Sequence, residues 1–359
     1  MKNIFLNRLS ILLIVLILAA CASSREALVP GERVVLGLLL DTTDGGPWGN
    51  EGAALIEKSR AAGFEVLVRT AQGAGREVQE KQLAELIRAG AQILVAIPSS
   101  PDFSAPPPRR ESSLPVPLIA CGEPIPGLDP ALFVGPDLEA AGYLQARAVR
   151  ERIPGRGVVL LGGPEDDPRA SRLRAGQLKA FAEWEEQRGE ETGISADLRL
   201  EDPSPTAAHL RTAELLARPF RARDAVTAII AFDDGTAGGA AAAVGEENLG
   251  GRIMVAGRGG ELAACRRIIA GEQLMTLYTP PEALAAAAVS SAIRLFRGME
   301  PGEIAASLGL EARRLEHNGK EVPAALLPPV PVTRSTMIET VILDGLYPVE
   351  AVYGPAEPE

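Results

Sequence analysis

Histidine and cysteine are scarce in this chain, and their scarcity removes a class of function. Two histidines, His209 and His317, and three cysteines, at 21, 121 and 265, are scattered over 359 residues. A His/Cys metal centre needs such ligands at short, repeated spacings, so no metal site is expected. Catalytic signatures are missing too: the chain has no Gly-x-Ser-x-Gly elbow, no phosphate-cradling P-loop and no histidine-based constellation. Asp233 and Asp234 are neighbours in sequence, so their side chains point in different directions. The reading is therefore not an enzyme, and no cofactor is expected. Positive charge is also lacking. The net charge is −11, and loss of residues 1–20 with Lys2 and Arg8 would take it from −11 to −13. That sign excludes nucleic acid as a partner and a basic membrane-facing patch.

What is present starts at the N-terminus. Lys2 and Arg8 precede the apolar run Ile11–Ala20, which is too short for an ordinary membrane span but suits an export signal. Leu18-Ala19-Ala20-Cys21 resembles the lipobox of bacterial lipoproteins. The resemblance implies removal of residues 1–20, acylation of Cys21 and a tether over 21–31. The expected location is outside the cytoplasm, lipid-anchored to a membrane and facing periplasm or cell exterior.

From Val34 onward, short apolar runs alternate with helical patterns. Buried parallel strands with crossover helices read this way. Strands are expected at Val34–Leu40, Phe64–Arg69, Gln92–Ile97 and Pro117–Cys121, with helices at Trp48–Gly63 and Arg76–Ala89. Residues 98–117 carry seven prolines, which no helix interior can absorb. Gly122–Ala131 reads as a linker. A second α/β series follows, from a strand at Leu132–Val134 to the runs Ala225–Phe232, Ile253–Ala256 and Leu274–Tyr278. Ligands in such sheets sit beyond the carboxyl ends of strands, which here carry Asp233, Asp234, Arg258 and Thr279. Asn318-Gly319 marks a hairpin, and Met337–Leu343 a last short helix. Cys121 and Cys265 are expected as buried free thiols rather than a disulfide.

Several stretches then carry a resemblance: Asp233-Asp234-Gly235-Thr236-Ala237-Gly238-Gly239, Arg174-Ala175-Gly176-Gln177, the run from Ile268 to Tyr278, Asn318-Gly319-Lys320-Glu321-Val322-Pro323, and Thr340-Val341-Ile342-Leu343-Asp344-Gly345. With them the chain resembles the type I periplasmic solute-binding proteins of bacterial ABC importers, and among these the xylose-binding branch. The resemblance implies an α/β fold of two doubly wound parallel-sheet lobes joined by a three-segment hinge. Carried over, lobe 1 is 32–122 plus 280–325, lobe 2 is 132–276 plus 330–350, and the crossings lie near 122–131, 276–280 and 326–333. It also implies a monomer that binds a sugar-like ligand and meets a membrane permease.

The resemblance places ligand contacts at Trp48, Glu123, Arg169, Asp233, Asp234, Arg258 and Thr279, yet most of the family's sugar-reading residues are replaced. Of the first-loop set only Trp48 remains, beside Gly46 and Pro47. Cys121-Gly122-Glu123 stands for Tyr-Asp-Arg, Arg169 for an asparagine, Arg258-Gly259 for Gln-Asp and Thr279 for a lysine. Asp233 stands for an asparagine, and Asp234 is kept. The implied ligand is thus not xylose itself. With Arg169 and Arg258 opposite Glu123, two readings stay open: an acidic or phosphorylated sugar held by the arginines, or a Glu123–arginine latch. Asp233 also has an alternative as a helix cap, a role expected to suit Asp234 better. A sensing subunit and a diverged pair of lobes that no longer binds such sugars remain alternatives to transport.

Overall fold

The computed structural model describes residues 27–29, 31–41, 46–72, 74, 76–98, 116–122, 129–153, 157–189, 193–217 and 226–354. The chain divides into two compact units, Met1–Pro136 with Pro280–Leu327, and Asp137–Thr279 with Pro328–Glu359.

The first unit holds β1 (Val35–Leu40), α1 (Gly46–Ala61), β2 (Glu65–Thr70), α2 (Arg76–Arg88), β3 (Ile93–Ala96), β4 (Leu118–Cys121) and β5 (Leu132–Pro136). After residue 279 it adds α8 (Pro281–Phe296), α9 (Pro301–Ser307), β11 (Glu311–His317) and β12 (Lys320–Leu327). One sheet runs β11-β12-β5-β4-β3-β1-β2. It is parallel except for the β11–β12 hairpin. The apolar runs explain why: in β1, Leu36, Leu38 and Leu40 join the core under α1 and α8, while Leu39 joins the core under α2. Both faces are covered, so the strand has no polar alternate positions. The hairpin turns at Asn318 and Gly319, whose φ values of 51° and 73° are the left-handed pair that a tight two-residue turn demands.

β5 corrects the expectation that Leu132 opens the second lobe. It pairs on one side with β4 and on the other with β12. The Pro/Gly-rich segment before it connects neighbouring strands of one sheet, and the unit boundary falls after Pro136. The proline-rich residues 99–115 lie outside the described residues.

The second unit holds α3 (Leu138–Arg152), β6 (Val158–Gly162), α4 (Pro168–Arg188), β7 (Ile194–Arg199), α5 (Pro205–Leu216), β8 (Ala228–Ala231), α6 (Asp234–Glu246), β9 (Met254–Ala256), α7 (Leu262–Ala270) and β10 (Thr276–Tyr278). β13 (Val330–Val332), a single wide turn at Ile338–Ile342 and α10 (Val349–Tyr353) close the chain. The sheet β7-β6-β8-β9 is parallel. An Ala256–Met275 bridge reaches β10, which pairs antiparallel with β13. Val158, Leu160, Ala228 and Ile230 pack on α3 and α4, while Val159, Leu161, Ile229 and Ala231 pack on α5 and α6. The final helix expected at Met337–Leu343 is the wide turn, ending at Gly345 with φ 71°. α9, β13 and α10 span few residues and lack a periodic signal of their own. Cys121 and Cys265 are free and buried, in different units.

Candidate functional site

The carboxyl ends of the parallel strands in the second unit gather its polar groups, and they do so in two layers. The inner layer is buried. Gln145 on α3 donates to the carbonyls of Ala231 (3.2 Å) and Gly257 (3.0 Å), at the ends of β8 and β9. Gln177 on α4 donates to Gln145 Oε1 at 3.0 Å. These helices therefore clamp the strand ends through amide hydrogen bonds rather than apolar contact alone.

Asp234 is the centre of a second buried network. It is fully enclosed, and its carboxylate accepts from Gln273 Nε2 (2.9 Å), Thr276 Oγ1 (2.7 Å) and the Glu261 backbone N–H (3.0 Å). Its own N–H donates to the Arg258 carbonyl at 2.8 Å, and its carbonyl accepts from Arg267 at 2.7 Å. Burial raises its pKa against the lowering effect of these donors. Glu261 is also raised, by burial and then by the charges of Asp234 and Asp233.

This arrangement corrects the assignment of the two aspartates. Asp233, not Asp234, caps α6. Its Oδ1 accepts from the Thr236 backbone N–H at 2.8 Å, and Thr236 Oγ1 accepts from the Asp233 N–H at 3.0 Å, a reciprocal capping box. Asp234, read from sequence as a ligand contact, has its carboxylate taken up inside the unit. A one-residue difference in where β8 ends decides which aspartate turns inward.

The outer layer is more accessible. Arg169, expected as an anion-binding group, is paired with Asp167, the N-cap of α4, at 2.7 Å. Burial works to raise the Asp167 carboxyl, but hydrogen bonds and charge from Arg169 outweigh it and hold the group below the usual carboxylate range. Arg258 follows β9. Its guanidinium lies 5.6 Å from the centroid of the Phe232 ring, which also packs on Gly163. Its Nε is buried without a hydrogen-bond partner. Thr279 is half-buried at the end of β10, the last residue of its segment.

The remaining sites belong to the first unit and the N-terminus. Trp48 falls in the first turn of α1, with its side chain outside the described part of the structure, and Glu123 and Cys21 lie outside the described residues. Burial and then the Glu51 charge push the Cys121 thiol well up, which leaves little of the reactive thiolate. Sequence reasoning missed Gln145, Gln177, Gln273 and Thr276 as positioning residues, and Phe232 as the support for Arg258. A faint signal existed for one glutamine: Gln177 is an amide set between Gly176 and Leu178.

Two helices on each face of a parallel sheet, with polar strand ends, is a ligand-binding architecture, and comparison with known proteins agrees. A family model described as "Periplasmic binding protein domain" matches residues 36–300. The D-xylose-binding periplasmic protein of Escherichia coli (strain K12) is 28% identical over 318 residues, covering 88% of this chain and 92% of the other. Its Haemophilus influenzae counterpart is 28% identical over 322 residues, covering 89% and 92%. Among solved structures, an ABC transporter solute-binding protein from Clostridium phytofermentans with bound β-D-glucose superposes with TM-score 0.68 at 17% identity, covering 89% and 99% of the two chains. A periplasmic ribose ABC transporter structure from Conexibacter woesei gives 0.66 at 20%, covering 88% and 95%. With the family model spanning most of the chain and both units built on parallel sheets, the protein belongs to the periplasmic binding protein family.

Proposed function

We propose that this protein is an extracytoplasmic solute-binding lipoprotein that captures a small polar ligand, a sugar or sugar derivative, and presents it to the membrane permease of an ABC importer. The observation that carries this reading is the extent of its likeness to two D-xylose-binding proteins, which runs through 88% and 89% of the chain rather than one motif. The polar groups at the strand ends of the second unit support it. Replacement of most family sugar-reading residues argues for a ligand other than xylose. Trp48, Glu123, Asp233 and Thr279 stay as proposed contacts, with residues near 276–280 and 326–333 as hinge segments.

Ligand binding is tested by thermal shift of the purified protein against neutral pentoses, hexoses and sugar acids. A ligand at one hundred times its Kd stabilises the bound fold by about 2.7 kcal/mol, a rise of several degrees in Tm. A panel that moves Tm nowhere would remove the solute-binding reading.

The anchor is tested separately. Each buried acyl methylene contributes about 0.8 kcal/mol, and two or more chains give stable attachment. Cys21→Ser is expected to move the protein from the membrane fraction to the soluble fraction. Unchanged fractionation would show that Cys21 carries no lipid.

A further inference from the structure

Resting on the solute-binding reading, we infer that the ligand carries an oxyanion and that Arg258 is the residue that selects for it. At the strand ends of the second unit, cationic side chains differ in what they already hold. Arg169 has the Asp167 carboxylate at 2.7 Å. Arg199, the last residue of β7, has Asp197 at 3.8 Å. Arg258 has no carboxylate within ion-pair distance among the described residues. Its guanidinium lies over the Phe232 ring, 5.6 Å from the centroid. Nε sits in a buried position with no acceptor. A buried donor without a partner costs free energy that pairing would return, and Arg199 Nη1 shares this condition although Arg199 also has Asp197.

The local backbone explains why the guanidinium is held rather than loose. Gly257 N–H is bonded to the Met275 carbonyl at 3.0 Å and Gly259 N–H to the Leu277 carbonyl at 2.7 Å. Gly260 N–H is bonded to Thr276 Oγ1 at 3.1 Å. The Arg258 carbonyl accepts from Asp234. Both sides of Arg258 are therefore pinned to β10 and to the Asp234 network, and its guanidinium lies over the Phe232 ring. A pre-oriented fork of N–H donors matches the paired oxygens of a carboxylate or phosphate and is poorly matched to a single hydroxyl. The ring that supports the fork is 4% exposed, so Phe232 is a base for the arginine rather than a platform for a sugar face. The chemical class is a polyol bearing a carboxylate or a phosphate.

Titration calorimetry on the purified protein distinguishes the sources, using D-glucuronate, D-galacturonate, D-glucose 6-phosphate, D-glucose and D-xylose. The expected result is binding of at least one anionic sugar at least about tenfold tighter than its neutral parent, weakening as salt is raised. Arg258→Gln is expected to weaken that anion by about tenfold to a hundredfold, the range of a lost charged hydrogen bond, and to weaken any neutral sugar clearly less. Arg258→Lys keeps the charge without the fork and should fall between. Thermal melts of both variants without ligand separate misfolding from lost contact. Neutral sugars binding as tightly as the anions, or Arg258→Gln weakening both classes alike, would overturn the inference while leaving the solute-binding reading intact. Binding of no sugar of either kind would overturn both.

Discussion

Gly176→Ala is expected to destabilise the second unit by more than about 3 kcal/mol, beyond the usual range for one extra methyl group in a packed core. A Cβ at Gly176 would lie 1.8 Å from the Glu139 carbonyl oxygen, and one at Gly142 would lie 1.8 Å from that of Leu173. The two contacts are reciprocal: α3 and α4 meet backbone to backbone at this crossing. Ordinary overpacking is relieved when a neighbouring side chain changes rotamer. Here the obstacle is a helix carbonyl, so relief requires the two helices to separate. That would strip packing from Ala141, Ala146, Leu173 and Phe181 on the sheet face they share, and would pull Gln177 from Gln145. Gly245→Ala supplies the opposite sign in the same unit. Nothing lies within 4 Å of its would-be Cβ, and the residue sits near the end of α6. There the alanine's helix preference should act alone, stabilising by about 0.5–1 kcal/mol. Urea denaturation of both variants checks the pair. Equal midpoints for Gly176→Ala and wild type would mean that the helices are not in backbone contact.

The alternation of strands and helices was legible because the inner strands are apolar on both faces. Leu36 and Leu39 point into different cores, so β1 reads as an unbroken run, and the same holds for Val158 and Val159 in β6. Asn318-Gly319 was equally legible, since few residue pairs accept two consecutive left-handed conformations. Domain boundaries were less so. A Pro/Gly-rich stretch looks the same whether it joins two units or two adjacent strands, and only the pairing of β5 with β12, nearly two hundred positions later in the chain, decides between them. Gly142 and Gly176 left a local trace: a glycine inside a helix costs about 1 kcal/mol relative to alanine, and a close helix crossing is the usual compensation. At the site, the residue types at the strand ends were found, but not their orientation. Arg169 and Arg258 look alike as letters, yet one meets Asp167 in its own helix cap and the other meets Phe232 from a neighbouring strand.

That ambiguity of orientation is sharpest at Asp233 and Asp234, and it sets the second large effect. Asp234→Ala is expected to cost about 3–5 kcal/mol, the range for removing one partner from a buried charged network. The substitution leaves Thr276 Oγ1 and the Glu261 N–H facing a space with no acceptor, and leaves Gln273 Nε2 with the Met275 carbonyl alone. Arg267 would keep its bond to the residue 234 carbonyl but lose the favourable charge beyond it. Asp234→Asn, with one acceptor oxygen in place of two, should fall between alanine and wild type. Asp233→Ala removes only the capping box of α6, worth about 1 kcal/mol. The loss should also extend to the loop. Glu261 N–H and Thr276 both orient the segment from Gly257 to Glu261, and Gly260 hangs from the same Thr276 hydroxyl. Arg258 lies in the middle of that segment. Asp234→Asn should therefore weaken ligand binding under conditions where the protein stays folded, whereas a loss in Asp233→Ala would come from the proposed contact itself and not from the loop. Denaturant midpoints measured beside calorimetric titrations test both halves of the claim. An Asp233→Ala variant less stable than Asp234→Ala would mean that the roles of the two carboxylates are the reverse of those drawn from the geometry.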